Sequence, residues 1–397
     1  MRKTGVKPLD GVRVLDLSRM VAGGVAGMLL ADFGADVVKV EQPGMGDPLR
    51  QWTAEGQPFW WKVYARNKRF ITLNLKSDGG RALLLRVLPR FDVLMESFIP
   101  GTLERLRLGP DLLLGRHPGL VVLRISGWGQ TGPGAARPGF GTLIEAASGF
   151  AAMNGEPDGA PIVPGFPLAD ATSALYAVNA IMFALYHRDV HGGAGQVIDL
   201  SLFESLFSLL GPLSAEYAAL GKTRSRNASR SNNSGPRGCY RTQDGRWIAV
   251  SGSTPRMAER FLDAYGLQAI LADQRFATNE GRVIHGRELD AAIGDAIGAR
   301  TMAENLAIIE EHKLTAGPVN TTADIEQDPH WRARLLTVDV PDNDRSIRMH
   351  NVVPRLSATP GEIQWTGGAL GKDNQSVYQE LSVSCDEQTQ LTAAGVI

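Results

Sequence analysis

Cysteine is nearly absent. Cys239 and Cys385 are the only two in 397 residues, and they form no CxxC pair. Neither a disulfide framework nor a cysteine zinc site can be built from them, which suits a reducing compartment. Excess charge is missing as well: 41 Lys and Arg stand against 42 Asp and Glu, for a formal net charge of −1. No global field therefore favours DNA, RNA or anionic lipid. The opening MRKTGVKPLDG has basic residues but no apolar segment, so no secretory signal is expected. The longest apolar run, Ala174–Tyr186 with Asn179 inside it, reads as too short to cross a bilayer. GxSxG, Walker and HExxH signatures do not occur. The expectation is a soluble cytoplasmic protein with no nucleic-acid or membrane partner and no bound metal.

What is present is ordinary globular composition, 43% apolar and 21% charged, in a chain longer than one core usually serves. Strand patterns at Val12–Leu17, Asp36–Val40, Phe70–Leu75, Val93–Met95 and Leu120–Ile125 alternate with helical ones at Val25–Phe33, Gly80–Arg90 and Leu103–Arg116. Such alternation indicates an α/β fold with a parallel sheet, whose strand ends are the usual place for ligands. Gly23-Gly24-Val25-Ala26-Gly27 lies at the first turn and Glu41 ends the second strand, but the spacing is not GxGxxG. These glycines read as allowing close passage to another segment or a ligand.

The clusters Gly127–Gly134 and Pro138–Gly141 are loops suited to substrate approach or simply turns. Asp170 then opens a long apolar helix that the Gly192–Gly195 turn closes, followed by a strand-like or helical run, Val197–Leu202. Two readings of Asp170 stand side by side: a helix N-cap, or a carboxylate kept ionised and aimed into a cleft. His187 and His191, spaced i, i+4, are read as complementing the helix dipole rather than as metal ligands. Gly221–Arg237 has the composition of a linker or mobile loop, with contact to a phosphate-bearing ligand as the alternative. Cys239–Val250 resembles a hairpin turning at Asp244-Gly245, with Cys239 as a small buried hydrophobe. Helices are expected at Met257–Tyr265, Glu288–Ile297 and Thr301–His312, and a strand at Val338–Val340.

A series of motifs in order carries a family resemblance. Pro8-Leu9-Asp10-Gly11-Val12-Arg13-Val14-Leu15-Asp16 is followed by Ala31-Asp32-Phe33-Gly34-Ala35-Asp36-Val37-Val38-Lys39-Val40-Glu41, Arg66-Asn67-Lys68-Arg69, Pro100-Gly101, Ser126-Gly127-Trp128-Gly129, Gly193-Ala194-Gly195-Gln196-Val197-Ile198-Asp199, Pro360 and Leu370-Gly371. Nearly end to end, the chain resembles the family III CoA-transferases, relatives of the 2-methylacyl-CoA racemases. The resemblance implies a large Rossmann-like domain with a parallel sheet, built from both chain ends (1–215 and 331–397), a smaller α+β domain (216–330), and an interlocked homodimer. It implies Asp170, in Gly165-Phe166-Pro167-Leu168-Ala169-Asp170, as nucleophile. CoA contacts are implied at Val21, Ala22, Gln42, Leu73, Asn74, Lys76, Ser97, Phe98, Arg105 and Arg137. Gly24, Gln42 and Ser97 depart from the residues usual there, which shifts or weakens phosphate contacts. The phrase Arg137–Ala146, with Phe140, Gly141 and Thr142 toward the substrate, resembles members that handle dicarboxylic acids.

The implied reaction moves CoA from an acyl-CoA thioester, such as succinyl-CoA, to a carboxylic acid through anhydride and aspartyl-CoA intermediates. An unperturbed aspartate ionises at a pKa of about 3.9, and a helix start favours the anion further, so no general base is expected. Small residues beyond it, Ala171, Ser173 and Ala174, read as room for a thioester. The alternatives are a racemase on the same fold, which needs two acid–base groups where Phe140 and Gly141 stand, and a non-catalytic CoA-ester-binding protein.

Overall fold

In the computed structural model, which describes residues 7–397, the apolar runs of the first half form one six-stranded sheet. Residues 1–6, part of the segment read for a secretory signal, lie outside the described residues. The order is β1 (Arg13–Asp16), α1 (Ala22–Asp32), β2 (Asp36–Glu41), α2 (Phe59–Tyr64), β3 (Arg69–Thr72), α3 (Asp78–Val87), β4 (Val93–Glu96), α4 (Thr102–Arg105), α5 (Pro110–Arg116) and β5 (Val121–Ser126). It continues with α6 (Gly141–Ala147), α7 (Phe150–Met153), α8 (Leu168–His191), β6 (Val197–Ser201) and α9 (Leu202–Ser208). The strands lie in the order β3-β2-β1-β4-β5-β6, every pairing parallel. Strand order reverses between β1 and β4, which opens a crevice at their carboxyl ends. Every residue of β4 and β5 is buried, as a parallel sheet covered on both faces requires.

Two compact units result. The first takes the chain up to Ser148, Pro164–Leu210 and Ala333–Ile397; the second takes Gly149–Val163 and Gly211–Arg332. The first unit thus draws on both chain ends, but its sheet does not: all six strands fall within residues 13–201. The C-terminal helices Asn374–Glu380 and Cys385–Ala393 instead help cover one face of the sheet. Val377, Tyr378, Leu381, Val396 and Ile397 join Leu15, Val38, Ile71, Leu84, Leu94 and Val122 in one core. Each such aliphatic side chain contributes about 1.5–3 kcal/mol on burial. The Tyr378 hydroxyl donates to the Thr72 carbonyl at 2.7 Å.

α1 and α8 pack on each other, and the buried residues of both are mostly small: Ala22, Gly23, Gly24, Ala26 and Gly27 on α1, Ala169, Ser173, Ala174 and Ala177 on α8. Ser173 and Ala174 are fully buried, so their size serves helix approach rather than room for a thioester. α8 spans nearly the expected helix, from Asp170 to the Gly192–Gly195 turn, and outruns its apolar stretch because it continues through polar residues at both ends. At 24 residues it is long and apolar enough to cross a membrane by length and composition, although one face packs inside the first unit. The expected helix Leu103–Arg116 is broken in two: Arg107 has a φ of 57°, and Pro110 starts a new helix where its missing N–H costs nothing.

Charged residues of the early motifs lie under α1. Lys68 Nζ donates to Asp16 Oδ2 at 3.0 Å and to the Gly24 carbonyl at 2.9 Å, while Lys39 Nζ pairs with Asp47 at 3.0 Å and lies 3.8 Å from Asp16. Burial alone would raise the Asp16 pKa, but Lys39 and Lys68 beside it hold the carboxyl below its ordinary value. Beyond them Arg66 forks onto Asp32, which also accepts from Asn67.

The second unit pairs β7 (Arg237–Arg241) with β8 (Trp247–Ser251), and β8 with β9 (Ala316–Pro318), all antiparallel. The hairpin turn falls at Asp244-Gly245, whose aspartate accepts from the Thr242 hydroxyl and the Met302 amide. Helices at Pro255–Ala264, Gly286–Gly298 and Met302–Glu311 complete its core around Tyr240, Ile248, Ile293 and Ile297. Cys239 is exposed, not buried: side chains alternate along a strand, and Gly238 and Tyr240 take the inward positions. Three of the four arginines of Gly221–Arg237 are engaged within the unit, Arg224 by Glu216, Arg226 by the Glu156 carbonyl and Arg230 by Asp290, so this stretch is more than a solvated linker. In the first unit, β10 (Thr337–Asp342) pairs with β11 (Arg345–His350), a strand whose outward charges hid its alternation from sequence reading.

Replacing Lys68 by Met leaves Asp16 buried with only the more distant Lys39. A loss of about 3 kcal/mol in unfolding free energy is expected, measured by urea denaturation.

Candidate active site

The residues implied for ligand binding stand at one edge of the sheet, beyond the carboxyl ends of its strands. Val21 and Ala22 follow β1, Gln42 follows β2, Leu73, Asn74 and Lys76 follow β3, and Ser97 and Phe98 follow β4. Arg105 ends α4, and Arg137 lies in the loop between β5 and α6. Lys76, Arg105 and Arg137 are exposed, whereas the side chains of Val21 and Leu73 are buried and leave only backbone to meet a ligand. Across the β1–β4 crevice the Arg19 amide donates to Ser97 Oγ at 2.8 Å, and the Arg19 guanidinium lies over the Phe98 ring. The Asn74 side chain accepts from the Lys76 amide, fixing the turn after β3.

The loop after β5 is folded on itself. Trp128 Nε1 donates to the Pro138 carbonyl at 3.0 Å, and Gly127 and Gly139 approach so closely that a methyl group on either would strike the other. Asp199, from the Gly193–Asp199 motif, accepts from the Gln130 amide, tying this loop to β6. The loop delivers Phe140 as an exposed N-cap of α6, then Gly141 as its first residue, with Thr142 exposed behind it.

Asp170 is not the cap of α8. Pro167 holds the cap position without a side-chain bond, and Asp170 is the third helical residue. Its carboxylate lies instead near the amide of Ala22, the first residue of α1, close enough for that amide and its own to favour the anion. Gly141 lies against it, and a side chain there would collide with Asp170 Oδ2. On α6, Glu145 is buried to 1% exposure and accepts the Ala169 amide at 3.1 Å. Tyr64, on α2, faces Asp170 closely enough for the carboxylate charge to raise the phenol pKa beyond what burial does. Trp60 and Trp52 extend from Tyr64 in successive edge-on contacts, ring centroids 5.5 Å apart.

The electrostatics also differ from the sequence expectation. Burial pushes the Asp170 pKa up and the Glu145 charge adds to the rise, while the Ala22 and Asp170 amides oppose it; the result is about 6. The favourable helix start is real but outweighed. Neither Glu145 nor Tyr64 was assigned a role from sequence, although Glu145 sits inside the Arg137–Ala146 phrase. Among the described residues no group of three His, Cys, Asp or Glu side chains is arranged to hold a metal, and His187 and His191 lie near the far end of α8 from Asp170.

A carboxyl whose pKa is raised on folding favours the native state fully below pH 3.8 and loses that contribution as pH climbs through about 6. Asp170→Asn, which cannot ionise, is therefore expected to be more stable than the native protein near pH 8, by up to about 3 kcal/mol. The difference should vanish below about pH 4, as read by urea denaturation across that range.

Comparison with known proteins identifies the family. Residues 9–374 match the CoA-transferase family III profile. The chain is 40% identical over 400 residues to a succinyl-CoA–D-citramalate CoA-transferase of Chloroflexus aurantiacus, covering 98% of each chain. It is 34% identical over 384 residues to a succinate–glutarate CoA-transferase of Agrobacterium fabrum, covering 94% of this chain and 96% of that one. A crystal structure of a CAIB/BAIF family protein from Brucella suis superimposes with a TM-score of 0.83 at 31% identity, over 95% of this chain and all of the other. The chain belongs to CoA-transferase family III.

Proposed function

We propose that this protein transfers CoA from succinyl-CoA to a second dicarboxylic acid, with Asp170 as nucleophile. The observation that carries the reading is the Asp170 carboxylate itself, partly buried at the edge of a parallel sheet, facing a side-chain-free position at Gly141 and a helix N-terminus at Ala22. With a pKa of about 6 it is roughly nine-tenths ionised at pH 7. One Asp170 oxygen attacks the thioester carbonyl, and CoA leaves as its thiolate, giving a mixed anhydride. The thiolate attacks the aspartyl carbonyl and releases the donor carboxylate, leaving an aspartyl-CoA thioester. The acceptor carboxylate attacks that thioester, forming a second anhydride, and the freed thiolate takes the acceptor acyl group and restores Asp170. The Ala22 amide and the α1 dipole offer positive potential where charge develops on oxygen. CoA would lie along the strand ends, from the turn after β3 past Ser97 and Phe98 toward Arg105 and Arg137. The donor and acceptor classes rest on the substrates that the names of the Chloroflexus and Agrobacterium relatives carry.

A racemase requires acid–base groups on both faces of an α-carbon. Phe140, which cannot transfer a proton, occupies one of those places, and Gly141 the other. A panel of dicarboxylic acids incubated with succinyl-CoA, followed by mass spectrometry of the CoA esters, tests the assignment. Transfer should fall by at least about 10³-fold in Asp170→Ala. Solvent deuterium entering the α-position without transfer would overturn it in favour of the racemase, and binding of CoA esters without turnover in favour of a non-catalytic protein.

We also propose a homodimer in the cytoplasm. Leu175, Phe183, Tyr186 and Val190 leave an exposed apolar stripe along α8, a surface suited to a second copy of the chain. The two exposed, unpaired cysteines suit a reducing compartment. Phe183→Asp should shift the protein toward monomer in sedimentation velocity; a sedimentation coefficient unchanged from that of a native dimer would count against this surface.

A further inference from the structure

Glu145 has no assigned part in the chemistry, yet its burial is hard to explain by packing. A carboxylate 1% exposed is costly to desolvate, and among the described residues no lysine or arginine forms an ion pair with it. Its Oε1 accepts the amide of Ala169, the residue before the nucleophile. That amide is among the free donors at the start of α8, where Pro167 supplies no side-chain cap. Two neighbouring amides are engaged elsewhere: Leu168 donates to the Phe166 carbonyl and Ala171 to the Pro167 carbonyl. Glu145 therefore caps α8 from outside, across the α6–α8 contact. Asp170 stands at the third helical position, from which an acid commonly reaches back to the helix start; here its carboxylate reaches across to Ala22 instead.

The second observation is proximity. The position where a Gly141 side chain would begin lies against Asp170 Oδ2 and only 3.8 Å from Glu145 Oε1, so two carboxylates share one small space. We propose that Glu145 is the positioning residue of the nucleophile: it frees the Asp170 carboxylate from capping, and its buried charge sets the basicity with which that carboxylate attacks. The groups facing Asp170 are few. Glu145 comes from α6, the Tyr64 phenol from α2, the Ala22 amide from α1 and its own amide from α8. Of these Glu145 is the acid, and its charge acts on Asp170 in the same direction as burial. Two anions close together disfavour each other, so removing one eases ionisation of the other. The inference rests on Asp170 as the attacking group, which Asp170→Ala tests separately.

The experiment is the pH profile of kcat/KM for CoA transfer from succinyl-CoA, in native protein, Glu145→Gln and Glu145→Ala. Glutamine keeps an oxygen for the Ala169 amide but not the charge. Its acid limb should move down by about 0.5–1 pH unit, with a plateau only several-fold lower. Alanine removes cap and charge together; it should show the same displaced limb with kcat at least about tenfold below that of glutamine, and little change in KM. A Glu145→Gln limb coincident with the native one would overturn the electrostatic role. Equal plateaus for Gln and Ala would overturn the positioning role. Should Glu145→Ala fail to fold, the Glu145→Gln limb and plateau still decide: a coincident limb, or a loss as large as that of Asp170→Ala, refutes the proposal. Transfer surviving in Asp170→Ala would instead refute the nucleophile assignment, whatever the Glu145 variants do.

Discussion

The proposed reactive centre depends on how near α1 and α8 come to each other. Small side chains on both helices forgo apolar burial, and each glycine inside α1 costs about 0.5–1 kcal/mol relative to alanine. What the close approach provides is position: the free amide of Ala22 reaches a carboxylate projecting from the third residue of α8. The glycines of α1 serve its other side, with Gly23 facing Ser18 and Gly24 facing Tyr64. A methyl group at Gly27 would come within 2.8 Å of Lys68 Nζ, so the buried Lys68–Asp16 pair fits only because that position is bare. Lys68 also holds the Gly24 carbonyl, which fixes the first turn of α1 to β1. Sheet, buried ions, α1 and α8 thus form one chain of constraint that ends at Asp170.

That chain places the carboxylate in opposing fields. A helix N-terminus and two amides favour the anion, whereas burial and a second carboxylate disfavour it, and the latter prevail. The balance matters for chemistry. An aspartate at its solution pKa would be fully ionised but weakly basic; one shifted much higher would be mostly protonated at neutral pH. A value of about 6 keeps the anion dominant while raising its basicity, which suits attack on a thioester without an auxiliary base.

Much of this was legible in the sequence, and what was not has a common cause. The runs that become β1, β2, β4 and β5 are local signals, and the fold they imply stands in the structure. Asp170 was singled out because it is an acid at the head of an apolar helix. Its environment was misjudged because the determinants come from afar: Ala22, Tyr64, Gly141 and Glu145 belong to three other helices. A capping rule sees only the neighbouring residues, so it assigned to Asp170 the task that Glu145 performs from 24 positions away. Cys239 was misplaced for a related reason, since which residues of β7 face inward is settled by packing of Tyr240 and not by cysteine's own preference. The break between α4 and α5 was locally visible at Gly109-Pro110, but the helical periodicity across it masked the stop.

Two carboxylates at one centre also order the proposed reaction. In the proposed reaction the acceptor acid is itself an anion, and it would approach a site where Glu145 is buried beside Asp170. While both are charged, like-charge repulsion in a partly dry cleft opposes that approach. Acylation changes the balance: once Asp170 is an anhydride or a thioester it carries no charge, and one of the two repelling groups is gone. A thioester donor presents a neutral reacting carbonyl and does not meet this barrier. The electrostatics therefore favour donor first and acceptor second, with departure of the donor carboxylate aided by the same repulsion that delays its replacement. The side-chain-free position at Gly141 lets the Asp170 carboxylate lie against the start of α6, and Phe140 beside it offers no proton with which to divert the proposed reaction.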